Sequence, residues 1–318
     1  MASITNSKNC IDHEVCVALL MYPLNEVQRQ VNSEIVRVAV SKSTKRLLIA
    51  FERESDSKST SLKNYIGDLY NIVWDLALSA GKNLLETIVS IPYSEEGFTS
   101  SLEILSKPEV ELVVYVRNDK STKLLKEMSR IRSSNNYSTA QIQCVNDNVE
   151  KIVSSDYISY DDEDTDLPMF DKVVLGGTFD YLHNGHKRLL TMTAMICTKE
   201  ITIGVTSDLM LKNKKFAEKI QPLSTRKGKV REFLRAIKPS LKVNIETIDD
   251  AFGPSIRLPD LEAITGSMET LSGCLAVNKI RKERGLKELK IVITSRAQSF
   301  TLSSTFLRRY LTHKSSNI

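Results

Sequence analysis

Cysteine is sparse in this chain and nowhere paired by spacing. Cys10, Cys16, Cys144, Cys197 and Cys274 are five in number, scattered, and form no C-x-x-C pair. That excludes a zinc ribbon and argues against a disulfide framework, so free thiols in a reducing compartment are expected. Long apolar runs are missing too, which excludes a membrane-spanning helix read from hydropathy. The apolar run Val15 to Met21 lacks a basic region before it and has His13 and Glu14 there instead, unlike a signal peptide. Charge of one sign is not in large excess: the net charge of +5 suits phosphorylated small molecules and is too weak for DNA binding. No G-x-x-x-x-G-K-[ST] string occurs, so a P-loop is excluded. The expectation is a cytoplasmic protein with no membrane and no nucleic-acid partner.

Histidine is also scarce, with four in 318 residues, yet two of them fall within one short string. Gly176-Gly177-Thr178-Phe179-Asp180-Tyr181-Leu182-His183-Asn184-Gly185-His186 follows the apolar stretch Val173-Val174-Leu175 and precedes an amphipathic stretch. Glycines permit tight turns and close backbone approach to a ligand. A strand–loop–helix junction aims free N–H groups and the positive end of a helix dipole at one spot. His183 and His186 share a helix face and can reach one anion. A metal pair is the poorer reading: zinc wants further ligands, and His13 and His313 lie far off.

The amino-terminal half reads as an α/β or α+β domain without a catalytic string. Strands are expected over Val15–Met21, Ile35–Val40, Leu47–Phe51 and Val110–Val116, with a helix marked by Leu62, Tyr65, Ile66, Leu69, Ile72 and Val73. Residues 1–10 read as a polar, disordered start. Acidic residues crowd Ser154 to Pro168, a composition that resists burial. The expected domains are therefore 1–153, an acidic linker over 154–168, and a carboxyl-terminal domain over 169–318. In the last, strands near 172–175, 201–205, 243–248, 261–265 and 289–294 alternate with helices, one of them capped by Ser224. That order implies a doubly wound parallel sheet, with ligand at the carboxyl ends of its strands.

A second string, Leu302-Ser303-Ser304-Thr305-Phe306-Leu307-Arg308, stands at the last helix. Capping explains its hydroxyls if it is taken alone. The two strings together resemble the T-x-D-x-x-H-x-G-H and I-S-S-T-x-x-R signatures of the nucleotidylyltransferase superfamily, with Leu302 replacing the isoleucine. The resemblance is to the eukaryotic and archaeal phosphopantetheine adenylyltransferases and covers about residues 170–318. It implies a Rossmann-like catalytic domain that joins ATP and 4′-phosphopantetheine into dephospho-coenzyme A and pyrophosphate, with Mg²⁺ accompanying ATP. It implies catalytic roles for His183, His186, Lys212 and Arg308. ATP would be bound by Gly176, Gly177, Thr178, Phe179, Gly185, His186, Asn278, Arg281, Ser303, Ser304 and Thr305. Thr178 and Lys212 would hold the acceptor, with Lys214 and Lys215 as rivals to Lys212; Arg226 also resembles a family position. The chain holds no acidic cage for a resident metal, and no fused dephospho-coenzyme A kinase is expected. The alternatives are a nicotinamide mononucleotide adenylyltransferase, a cytidylyltransferase, or a non-catalytic nucleotide-binding scaffold. A cytidylyltransferase would carry R-T-x-G-I-S-T at the last helix. An aminoacyl-tRNA synthetase would need a K-M-S-K-S loop, absent here. The amino-terminal domain would dock other enzymes of coenzyme A synthesis.

Overall fold

A computed structural model describes residues 12–22, 25–52, 59–93, 97–145, 165–294 and 303–315. Most of the acidic stretch over 154–168, residues 1–10 and Leu302 lie outside the described residues. The chain divides into two compact units. One takes Met1–Arg53, Asp75–Thr87 and Ser101–Ser155; the other takes Glu54–Trp74, Ile88–Ser100 and Asp156–Ile318.

The first unit opens on β1 (His13–Leu20), α1 (Glu26–Lys42) and β2 (Ser43–Phe51). α1 contains the stretch Ile35–Val40, which the sequence reading takes for a strand. Its β-branched residues favour strands only weakly, and two other facts decide the matter. Val31, Ile35, Val36, Ala39 and Val40 are buried together, as one helical face. β1 and β2 pair in parallel, and a parallel pair needs a long crossover, usually a helix. Asn25 closes the start of α1 with a capping box: its side chain accepts from the Gln28 N–H and Gln28 reaches back to its backbone. α2 (Thr60–Ser79) and β3 (Glu86–Val89), which the division into units cuts after Trp74 and after Thr87, then α3 (Ser101–Leu105), β4 (Leu112–Tyr115), α4 (Asp119–Ser134) and β5 (Gln141–Cys144) follow, and the sheet order is β3-β2-β1-β4-β5. This half is therefore α/β.

The second unit carries β6 (Phe170–Gly177), α5 (Asn184–Ile196), β7 (Cys197–Thr206), α6 (Leu223–Ile237), β8 (Lys242–Ile248), β9 (Ala263–Gly266), α7 (Leu271–Glu283), β10 (Lys290–Ile293) and α8 (Ser304–Ser315). Its strands pair in parallel in the order β10-β9-β6-β7-β8, a Rossmann-like doubly wound sheet. The order reverses between β6 and β9, and ligands bind such sheets at that reversal. Counted within its own unit, each sheet runs 3-2-1-4-5, so the two units repeat one topology. Ser224 does not cap α6: the helix begins at Leu223, after Pro222, without a side-chain cap. Gly285 follows α7 at a φ of +71°, the left-handed position that favours glycine after a helix. Among the described residues, no helix is long and apolar enough to cross a membrane.

Candidate functional site

β6 ends on Gly176 and Gly177, and the chain then enters a backbone that non-glycine residues avoid. Phe179, Tyr181 and Leu182 have φ of +53°, +54° and +26°. Left-handed geometry costs roughly 1–2 kcal/mol per L-residue, so the loop must be held by its surroundings. The Phe179 ring is fully buried and lies 5.3 Å from the His186 ring. A Cβ on Gly177 would come within 3.2 Å of that same ring, so the glycine makes room for it. Tyr181 donates its N–H to Gln221 Oε1 and its hydroxyl to the Lys219 carbonyl.

Asp180, fully enclosed, does the most to pin the loop. Its carboxylate accepts the Gln221 N–H at 2.9 Å and an Arg308 guanidinium N–H at 2.7 Å, and its carbonyl accepts the Ser304 hydroxyl. The Asp180–Arg308 pair is almost wholly buried. It ties the loop after β6 to the first turns of α8, which explains why two strings so far apart in sequence belong to one site. Asp180 stands in the T-x-D-x-x-H-x-G-H string, so the signal that finds it was present although the sequence reading assigns it no role. Arg226 is the second buried anchor. It donates to the Thr178 and Thr206 carbonyls, to the Gln221 carbonyl and to Asp208.

Thr178 is the hub of the polar surface that remains. Its hydroxyl oxygen accepts from Thr206 Oγ1 at 3.1 Å and from Lys214 Nζ at 2.9 Å. Of the lysines that compete near strand β7, both Lys212 and Lys214 are exposed, but Lys214 reaches Thr178 and lines the cavity, whereas Lys212 does not line it. The local sequence could not distinguish them, because the intervening turn is irregular. A cavity of about 360 Å³ opens here, lined by Thr178, Lys214, Lys215, Ser304, Thr305 and Arg308. Burial lowers the Lys214 ammonium pKa, Arg308 and Arg226 add to that, and Asp180 opposes it. Thr305 Oγ1 accepts from Arg308, while Ser303 caps α8 by accepting the Phe306 N–H.

The two histidines stack, ring centroids 3.9 Å apart and nearly parallel. Neither lines the cavity, but both feel its cations. Burial chiefly, then Lys187 and Arg308, push His183 down to about 3. Burial, His183 and Lys214 hold His186 well below the ordinary histidine range. Both Nδ1 atoms are enclosed without a partner. α5 starts at Asn184 with no side-chain cap, so its first N–H groups stay open to a ligand. Gly185 lies in that first turn, half-buried.

Asn278 and Arg281 sit differently. Asn278 exchanges hydrogen bonds with the backbone of Leu289, and the fully buried Arg281 donates to the carbonyls of Ser255, Leu258, Pro259 and Lys287. Their polar groups hold the connections around α7, and neither lines the cavity.

The neutral histidines make a thermal prediction. An unfolded imidazole titrates near ~6.5, and the folded His183 only at about 3. Across that window the unfolded chain binds protons the folded chain refuses, so stability falls as pH falls. Tm should drop on acidification from pH 7 to 4.5, and less steeply in His183→Asn; equal slopes would show that His183 is not held neutral.

Comparisons with known proteins agree on the second unit. A cytidylyltransferase-like family model matches residues 174–310. The phosphopantetheine adenylyltransferase of Pyrobaculum aerophilum is 41% identical over 145 residues, which are 45% of this chain and 92% of that protein. The Pyrococcus abyssi enzyme of the same name is 47% identical over 124 residues, 39% of this chain and 78% of the relative. The Saccharomyces cerevisiae protein of that name is 39% identical over 153 residues, 46% of this chain and 50% of its own length. The match thus spans half of the yeast relative and most of the archaeal ones.

Proposed function

The chain belongs to the phosphopantetheine adenylyltransferase family, and on that premise we propose that it transfers the adenylyl group of ATP to 4′-phosphopantetheine, giving dephospho-coenzyme A and pyrophosphate. The observation that carries this reading is the meeting of Thr178, Lys214, Thr305 and Arg308 on one cavity at the uncapped end of the β6–α5 junction.

The acceptor phosphate is largely dianionic at neutral pH, its second pKa lying near ~6, so it attacks the α-phosphorus without a general base. The protein's task is alignment and charge stabilisation. Each neutral imidazole supplies one N–H donor. His183 and His186 donate these to the α-phosphate and to the oxygen that leaves. Lys214 and Thr178 orient the attacking phosphate, the role the sequence reading gives to Lys212 and Thr178. Ser304, Thr305 and the fixed charge of Arg308 hold the departing pyrophosphate. The backbone of Gly176, Gly177, Phe179 and Gly185 leaves room for the nucleotide. Among the described residues, no group of three or more metal-ligating side chains gathers. Asp180 is already taken by Arg308. The donor set therefore fits a Mg²⁺ ion that arrives with the nucleotide, held by phosphate oxygens and water, where it would neutralise phosphate charge. The reading places catalysis in residues 169–318 of a cytoplasmic protein, and it leaves to the domain over 1–153 the docking of other enzymes of coenzyme A synthesis.

Pyrophosphate release measured with ATP against 4′-phosphopantetheine, nicotinamide mononucleotide and flavin mononucleotide, and with CTP against phosphocholine, tests the reaction. Turnover with 4′-phosphopantetheine is expected; turnover confined to another acceptor would overturn the assignment. The lysines give a sharper prediction. Lys214→Ala should raise the acceptor KM by about tenfold or more, the size of one lost charge-assisted contact. Lys212→Ala should stay within about twofold of the parent. The reverse ranking would return the role to Lys212.

A further inference from the structure

One stripe of α2 touches both helices that carry the site. Residues up to Trp74 belong to the second unit. Gly67, Tyr70 and Trp74 recur at i, i+3 and i+7 and so share a helix face. At Gly67 a Cβ would come within 2.9 Å of Arg188 Nε, so only glycine leaves that guanidinium its place. The Tyr70 side chain is fully buried. Its hydroxyl pairs with Thr191 Oγ1 at 2.9 Å and accepts the Val89 N–H at 3.3 Å. Its carbonyl accepts the Asn184 side-chain amide at 3.1 Å. Trp74 meets Phe306 edge to face, centroids 6.0 Å apart.

The contacts on α5 fall at Asn184, Arg188 and Thr191, again one face. Asn184 is the residue between the two histidine-bearing ends of the string His183-Asn184-Gly185-His186. Phe306 follows Thr305 directly on α8. A side chain that is only a spacer in the sequence is thus the tether of the loop that presents the imidazoles. Asn184, Arg188 and Thr191 are thus on the face of α5 that meets α2, and any rotation of α5 about its axis would carry both rings with it.

We infer that Tyr70 and its stripe are positioning elements for the reaction: the Asn184–Tyr70 carbonyl bond and the Tyr70–Thr191 hydroxyl pair hold His183 and His186 in line with the α-phosphate. The inference rests on the adenylyl-transfer reading. A displacement of about 1 Å in such a site costs on the order of 10²-fold in rate, so a partial loosening should be visible.

Two variants of the full chain separate positioning from mere stability. Tyr70→Phe removes the hydroxyl and strands that of Thr191, which is fully buried. The double variant Tyr70→Phe/Thr191→Val removes both hydroxyls of that pair and leaves the Val89 N–H, which the Tyr70 hydroxyl also accepts, as the one group without its partner. In Tyr70→Phe, kcat should fall about tenfold with the ATP KM within about twofold. In the double variant Tm should recover in part while kcat stays low. The ring ¹⁵N signals of His183 and His186 should move in both. An unchanged kcat in Tyr70→Phe, kcat returning together with Tm in the double variant, or ring signals that stay put would each overturn the inference. A parent chain that folds but releases no pyrophosphate with ATP and 4′-phosphopantetheine would sink the reaction instead, and the ring signals would still decide the positioning.

Discussion

Replacing His186 by alanine should lower kcat by about 10²–10³-fold, the size of losing one preorganised transition-state donor. The ring sits against Phe179 and His183 at the open start of α5, and its surroundings keep it neutral. A neutral imidazole offers an N–H to developing charge on phosphate oxygen and costs no deprotonation at the working pH. On the proposed reading its contact is made with charge that develops only in the transition state, so the ATP KM should change little and the loss should fall on kcat. His186→Gln or His186→Asn, which retain an N–H donor, should lose less. The measurement is steady-state pyrophosphate release, with Tm confirming an intact fold. Near-normal turnover by a folded His186→Ala would remove the role.

The second large effect is on stability. Asp180→Ala leaves the Arg308 guanidinium, only 3% exposed, without its anion. Breaking one side of a buried pair costs about 3–5 kcal/mol. Asp180→Ala also returns the strained turn to conformations that only its anchors exclude, so the loss should lie toward the upper end. The chain contains one tryptophan, Trp74, packed on Phe306 of α8. Its fluorescence therefore reports urea unfolding of the second unit. The double variant Asp180→Leu/Arg308→Met replaces the pair by apolar groups and should regain most of the stability while remaining inactive. A stability loss under about 1 kcal/mol in Asp180→Ala would show the pair to be no more than a surface-type contact.

These two residues mark how far the sequence could be read. The string around Gly176 and the one ending at Arg308 were legible because each is short and its residue types are chemically pointed. The alternation of strands and helices after residue 169 foretold the parallel sheet. The contact that makes the two strings one site, Asp180 to Arg308, spans 128 positions and leaves no periodic trace. The choice between Lys212 and Lys214 turned on an irregular segment that no propensity describes. Asn278 and Arg281 lie in a pattern that suits a nucleotide; in the structure Asn278 bonds both backbone groups of Leu289 and Arg281 donates to nearby carbonyls, contacts that the pattern does not reveal. The stretch Ile35–Val40 reads as a strand by β-branched propensity, and the crossover that the parallel β1–β2 pair requires makes it a helix. Tyr70 escaped notice for a different reason. Its partners Asn184 and Thr191 are 114 and 121 positions away, and the helical stripe that was visible, Leu62 to Val73, is not the one it stands on.

The duplicated strand order has a consequence for how affinity arises. After the central strand of each unit the chain turns into a helix, and the two turns differ in what occupies the helix start. In α1 the side chains of Asn25 and Gln28 fill the sockets that a phosphate would use. At the start of α5 no side chain makes a cap bond among the described residues, and two uncharged rings stand beside it. Winding the chain this way therefore confers no taste for nucleotides. A handful of residues at one turn set how a helix start is filled, and in the first unit the same frame carries a start capped by its own side chains.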